Sequence, residues 1–359
     1  MLDPVDAMFF EFVDTSLIHV QTPQLQRKFA ALGGIEMVVR LVAMSMNDEV
    51  IVKASRALSM LLQIEGNVGD SSLNTTPRSG VGSVGGSSSS HMGSTVSISS
   101  VLTQTAPNTT NMSMSSAASS TSATSTSSTR SHAVANAIKI CAAAGVPALI
   151  AQMRRSSNDG VLQESAAALK LLTRVYVSTI SHPDWEGVES IFNDVDDAYT
   201  VFLHLLNRSY SPLVHCEIAE MLNYIALSPG GKRALGQVGA IGVLVQHCKS
   251  PANQRRAVLV WACTALCVLV MEDENRTHFT EANGPAALVE LLARIPPTSF
   301  SQDLEWDEVV VGTVHTLSNY MAGVGSSVHD CQMLIDAAGG AEMLIKRCWA
   351  AVGGVGVLN

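Results

Sequence analysis

Seven cysteines, ten histidines and 31 acidic residues in 359 give the sequence material for metal binding and acid–base chemistry, so spacing decides. Cys263 and Cys267 lie four apart on one helical face and make half of a metal site. No second pair at ligand spacing follows, and Val270 stands where a third cysteine would extend the motif, so core packing of thiols is the expectation. His215 and His247 each precede a cysteine inside a helical pattern, too little for a metal. Gly80, Gly82 and Gly85 spell GxGxxG, but without a strand before or a helix after them the loop has no phosphate-binding scaffold. GxxxxGK[ST], GxSxG, HExxH and paired CxxC motifs are missing. The acidic clusters at Asp194, Asp196 and Asp197, at 272–274 and at 303–308 fall at helix ends and in loops. The expectation is no catalytic residue, no metal and no cofactor: not an enzyme.

A formal charge of -9 argues against nucleic acid as a partner. The N-terminus carries Asp3, Asp6, Glu11 and Asp14 where a secretory signal would be basic. The longest apolar run, Ala257 to Met271, is about 15 residues, short of the roughly 20 a spanning helix needs. No membrane insertion is expected, and the odd, scattered cysteines fit reduced thiols in a cytoplasmic or nuclear protein that is not secreted.

With 47% hydrophobic but 5% aromatic residues, the core is expected to be many small helix–helix contacts of Ala, Val and Leu. Residues 67–131 depart from this. Stretches such as SSAASSTSATSTSSTR have almost no charge and no periodicity, and they cannot offset the entropy of ordering. The chain therefore divides into 1–66, a disordered low-complexity insertion at 67–131, and 132–359.

Outside the insertion one unit recurs: a small-residue turn followed by an amphipathic run. It reads GGIEMVVRLV from Gly33, AGVPALIAQM from Ala144, GAIGVLVQHC from Gly239, NGPAALVELL from Asn283 and GGAEMLIKRC from Gly339. DAYTVFLHLL from Asp197 keeps the apolar spacing and loses the glycine. A short helix precedes each turn and two helical stretches follow, the last of them Ala-rich, as in VLQESAAALKLLTRVYV and PLVHCEIAEMLNYIAL. Glycine suits a turn that needs positive φ or close backbone approach. A lone unit cannot cover its own apolar stripe, so the units must stack on one continuous core.

These turns and third helices resemble the armadillo repeat family. The resemblance implies an all-α, right-handed α-solenoid of about six repeats, the first two separated by the insertion and the last incomplete. It further implies a groove lined by third helices, in which an Asn near each helix end binds the backbone of an extended peptide. Asn223 and Asn319 occupy that place, while Met60, Leu171 and Ala265 replace it elsewhere. Import receptors of the family also carry a Trp four residues before the Asn. Trp261 keeps it, whereas Ala219 and His315 precede the two asparagines, which breaks the ladder.

Helical spacing adds Lys53, Arg56, Glu220, Arg255 and Arg256 to the candidate groove, a mixed-charge set suited to a specific protein or peptide segment. The expected function is a non-catalytic scaffold or adaptor, with Lys53, Arg56, Glu220, Asn223, Arg256, Trp261, His315 and Asn319 as binding residues. The alternative is a chaperone cofactor, an exchange factor for an Hsp70-type ATPase. Phosphates on the insertion would be drawn to Lys53, Arg56 or Arg154 and Arg155. The incomplete last repeat, with Leu344, Ile345 and Trp349, either closes a short cap or self-associates.

Overall fold

The computed structural model describes residues 22–63, 123–178, 190–193, 195, 197–208, 211–250, 256–295, 304–322 and 327–343. Among them every regular element is helical. The first unit has α1 (Pro23–Ala31), α2 (Gly34–Met44) and α3 (Asp48–Leu62), and the second has α4 (Ala123–Ala142), α5 (Gly145–Arg155) and α6 (Asp159–Val177). The third follows with α7 (Ser190–Asn193), α8 (Ala198–Asn207) and α9 (Pro212–Ala226), the fourth with α10 (Pro229–Gln237), α11 (Ala240–Lys249) and α12 (Arg256–Leu269). The fifth has α13 (Asp273–Glu281), α14 (Gly284–Arg294) and α15 (Leu304–Met321); α16 (Ser327–Ala337) and a turn at Gly339 open the sixth.

Of the described residues, those up to 63 and from 133 onward form the stack, and 123–132 belong to a separate unit. The stretch expected to lack structure lies outside the described residues as far as 122, but residues 123–131 are helical, the start of α4. Once a helix is nucleated by its packed end, each further residue adds a hydrogen bond, so a Ser/Thr/Ala run prolongs it. Leu344, Ile345 and Trp349 also lie outside the described residues, as does Arg255.

Every first-to-second helix turn uses the same backbone conformation, with or without glycine. Gly33, Gly239 and Gly339 have φ of 79°, 81° and 76°, and Ala144, Asp197 and Asn283 adopt 59°, 61° and 57°. The copy at Asp197, which lacks glycine, therefore makes the regular turn. The residue after the turn is constrained for a different reason. A Cβ on Gly34 would sit 2.6 Å from the Phe29 ring, and one on Gly145 would meet Ile140 O at 2.8 Å. The third and fourth units carry the buried Ala198 and Ala240 at this place, so the passage there leaves room for a methyl group.

The third helices α3, α6, α9, α12 and α15 pack in sequence, each on the next, with the most extensive contacts in the fold. Three of them start with the same device: Asn47 Oδ1 accepts from Glu49 N at 2.9 Å, Asn158 Oδ1 from Gly160 N at 2.9 Å, and Ser211 Oγ from Leu213 N at 3.3 Å. The second helices are tied end to side. Gln152 donates to Val42 O, His247 Nε2 lies 3.0 Å from Leu206 O, and Arg294 donates to Ser250 O at 2.9 Å. Each partner carbonyl lies at the C-terminal end of the preceding unit's second helix, where the helix itself leaves acceptors unpaired. His215 meets His247 edge to face with centroids 5.4 Å apart and reaches Arg208 O at 2.9 Å, so both histidines of the His-Cys doublets close α8.

The two roles of the turn make opposite predictions at neighbouring residues. Gly145→Ala should lower stability by about 2 kcal/mol, because the Ile140 carbonyl cannot give way. Ala144→Gly should raise it by up to about 1 kcal/mol by relieving a left-handed alanine. Urea unfolding followed by far-ultraviolet circular dichroism checks both signs.

Candidate functional site: the exposed face of the third helices

Each third helix leaves one stripe uncovered. On α3 it includes Glu49, Lys53, Arg56 and Met60, on α6 Glu164 and Leu171, on α9 Glu217, Glu220 and Tyr224, and on α15 Val311, Val314, His315 and Ser318. On α12 the stripe narrows to Ala257 and Trp261. Each of the five third helices thus contributes at least one partly or fully exposed residue, Lys53, Glu164, Glu217, Trp261 and His315 among them.

The charges of the first three units are spent on one another. Arg56 bonds Glu164 of the next unit through Nε at 3.0 Å, and this raises the guanidinium's pKa through the hydrogen bond. Lys53 pairs within its own helix with Glu49 at 3.5 Å. Lys170 lies between Glu217 at 2.7 Å and Glu220 at 3.0 Å, its side chain 16% exposed. Tyr224 donates to Glu220 Oε1 at 3.1 Å. Burial works against the Lys170 charge, but the two carboxylates outweigh it and hold the ammonium above its ordinary range. Burial also raises the carboxyl of Glu217 and the phenol of Tyr224.

Beyond Tyr224 the face turns aromatic and apolar. The Tyr224 and Trp261 rings lie 6.3 Å apart, and the Arg256 guanidinium lies 5.0 Å over the Trp306 ring. Val311 is 41% exposed and Val314 36%, large values for valines inside a helix, and His315 beside them is exposed.

The two asparagines behave differently from each other and from the expected ladder. Asn223 is buried at 2% exposure, and its Oδ1 has no hydrogen-bond partner. Asn319 is half-buried and donates to Cys267 O at 3.0 Å and to Cys267 Sγ at 3.3 Å on α12. Setting Glu217, Glu220 and Tyr224 level with His315, Ser318 and Ala322 brings Asn319 alongside Met221, not Asn223. The shared Asn-Tyr dipeptide had aligned helices whose exposed faces are two residues out of step. Asn223 is therefore corrected from a surface group to a core group. Lys53, Arg56, Glu220, Arg256, Trp261 and His315 lie on or beside the exposed face, and Glu164, Lys170, Glu217, Tyr224 and Trp306 join them. Their signal was present in the sequence as the i, i+3, i+4, i+7 positions of each third helix, readable once the start of each helix is fixed.

Among the described residues no three His, Cys, Asp or Glu side chains converge as a metal would require. No single described helix is long and apolar enough to cross a membrane, though the pair 132–142 and 145–155, bent by 67°, passes on length and composition together.

No protein-family model matches the sequence, and no curated protein does. Solved structures share its fold. A designed armadillo repeat protein in complex with the peptide (KR)4 superposes with a TM-score of 0.54 at 15% identity, over 90% of this chain and 99% of its own. A computationally designed armadillo repeat protein for modular peptide recognition gives 0.53 at 14%, over 89% and 98%. A crystal structure of another engineered protein gives 0.53 at 19%, over 89% and 95%. The chain has the all-α solenoid fold of armadillo repeat proteins.

Lys170→Met tests the buried charge cluster. It leaves two carboxylates together without their cation, and the cost at pH 7 should be about 3 kcal/mol. Without the cation the Glu217 carboxyl, already raised by burial, rises further, so the folded state takes up a proton as pH falls and the loss should shrink towards pH 5. Thermal unfolding at both pH values checks this; an equal loss at each would mean packing alone.

Proposed function

We propose that this armadillo-type solenoid is a non-catalytic scaffold that binds a protein or extended peptide segment along the exposed face of its third helices. One observation carries the reading: the third helices pack side by side in sequence, each on the next, so the partly exposed residues Lys53, Glu164, Glu217, Trp261 and His315 fall on successive helices of one stack. A repeating surface of this kind suits a ligand with its own repeat, and an extended chain is such a ligand. The structural neighbours add support, since one is in complex with a (KR)4 peptide and another was designed for modular peptide recognition.

The paired charges of α3, α6 and α9 argue against selection of a simple polycation. A guest carboxylate or ammonium there must displace a resident ion pair, which costs about as much as it returns. Affinity is then concentrated at Trp261, Val311, Val314 and His315, where apolar surface is still to be buried. The partner segment carries bulky apolar residues at that end and polar residues of both signs at the other. We place its action in the cytoplasm or nucleus, where scattered thiols such as Cys141 and Cys267 stay reduced.

Selection from a random peptide library displayed on phage supplies a ligand without knowledge of the natural partner. Enriched peptides should be rich in aliphatic and aromatic residues, and Trp261→Ala combined with His315→Ala should weaken them at least tenfold by fluorescence polarisation, with helicity unchanged. Arg56→Ala should weaken them less than threefold. Binding indifferent to the double variant would sink this face as the site. Acceleration of nucleotide release from an Hsp70-type ATPase, without peptide capture, would favour a chaperone cofactor instead.

A further inference from the structure

The fourth unit holds a pair of thiols that the proposed binding face does not use. Cys248 stands in the last turn of α11 and Cys263 in the middle of α12, both at 0% exposure, with their sulfurs 3.9 Å apart. Disulfide formation requires the sulfurs to close to about 2.05 Å. Thr313 Oγ1 approaches the Cys263 sulfur at 3.4 Å from α15. Cys267 lies one turn further along α12, where Asn319 Nδ2 engages it at 3.3 Å.

This pair differs from the other thiols in kind. Hydrogen bonding from Cys248 draws the Cys263 thiol below its ordinary range, and the same contact, with burial, holds Cys248 above. Burial pushes Cys141 up to about 11, and burial with the neighbouring Cys263 pushes Cys267 up to about 12, so those two stay protonated and inert. One thiol favoured as thiolate beside a second that is its hydrogen-bond donor is the arrangement of a nucleophile and its resolving partner.

We propose that Cys248 and Cys263 are a peroxide-responsive dithiol that closes to a disulfide and staples α11 to α12. The Cys263 thiolate attacks one peroxide oxygen, the O–O bond breaks, and the leaving hydroxide takes up the proton that Cys263 had lost. Cys263 is then a sulfenic acid. The Cys248 sulfur attacks the Cys263 sulfur, the S–O bond breaks, and the second hydroxide leaves as water with the Cys248 proton. One peroxide is reduced by two electrons to two waters, and two thiols become one disulfide. Because both sulfurs are buried, peroxide reaches them only when α11 and α12 part, so the reaction follows local opening and is slow. The staple acts on the helix that carries Trp261, which links the redox state of the core to the exposed face.

Peptide mapping of the full chain tests this. The protein is reduced, freed of reductant, treated with hydrogen peroxide, alkylated in denaturant and digested with trypsin. The expected product is peptide 234–249 joined to peptide 257–276 and two hydrogens lighter than the pair, with fragmentation placing the link at Cys263. It should persist in Cys267→Ser, vanish in Cys263→Ser or Cys263→Ala, and revert with dithiothreitol. Oxidised wild type should also unfold at higher urea than reduced wild type. The proposal is overturned if Cys248 and Cys263 remain alkylatable after Cys216 has been oxidised, or if fragmentation places the link at Cys267. The wild-type map decides even where a variant fails to fold.

Discussion

Everything in this stack depends on how closely each second helix can leave the first. The chain turns through a left-handed residue and then passes close to the first helix, too close for a side chain at Gly34 beside Phe29 and Gly145 beside Ile140, and with room for no more than a methyl at the buried Ala198 and Ala240. Those two constraints fix the direction of the second helix, and through the Asn and Ser caps at 47, 158 and 211 the start of the third. An error in the angle would be repeated at every unit and would part the third helices, whose mutual contact is the largest source of burial. The physical demand therefore falls on two adjacent backbone positions, and the long apolar helices follow from it.

The same geometry creates a polar problem at every second helix, whose last carbonyls point into the next unit. Gln152, His247 and Arg294 solve it with three different side chains that reach preceding carbonyls. What matters there is a donor of sufficient reach, and the chemical type is free to vary. A comparable economy governs the exposed face. Charges that look available along the sequence, such as Arg56 and Glu220, are partnered across unit boundaries, so they contribute to the register between units. The surface left unspent is the apolar and aromatic part around Trp261, Val311 and Val314.

Much of this was legible beforehand. The third helices fall within a few residues of the stretches marked by Ala-rich periodicity, and the turns fall at Gly33, Ala144, Asp197, Gly239, Asn283 and Gly339 as the repeat spacing requires. Glycine itself was an incomplete guide. At the first turn position alanine, aspartate and asparagine take up positive φ when the packing of two helices over-determines it. The Asn ladder misled for a related reason: a dipeptide match between α9 and α15 carries less information than the burial pattern of the whole helix.

By itself the sequence determined the class of fold and the order of the repeating units among the described residues. These depend on periodicity and composition, which are local properties. Only the tertiary structure decided which polar groups remain for a partner. It buried Asn223, turned Asn319 towards Cys267, tied Lys170 between Glu217 and Glu220, and brought Cys248 against Cys263. Each of those outcomes is set by the rotation of one helix against its neighbour in another part of the chain. A rotation of one residue moves a side chain by about 100°, from solvent to core, and no local pattern records which neighbour will be there.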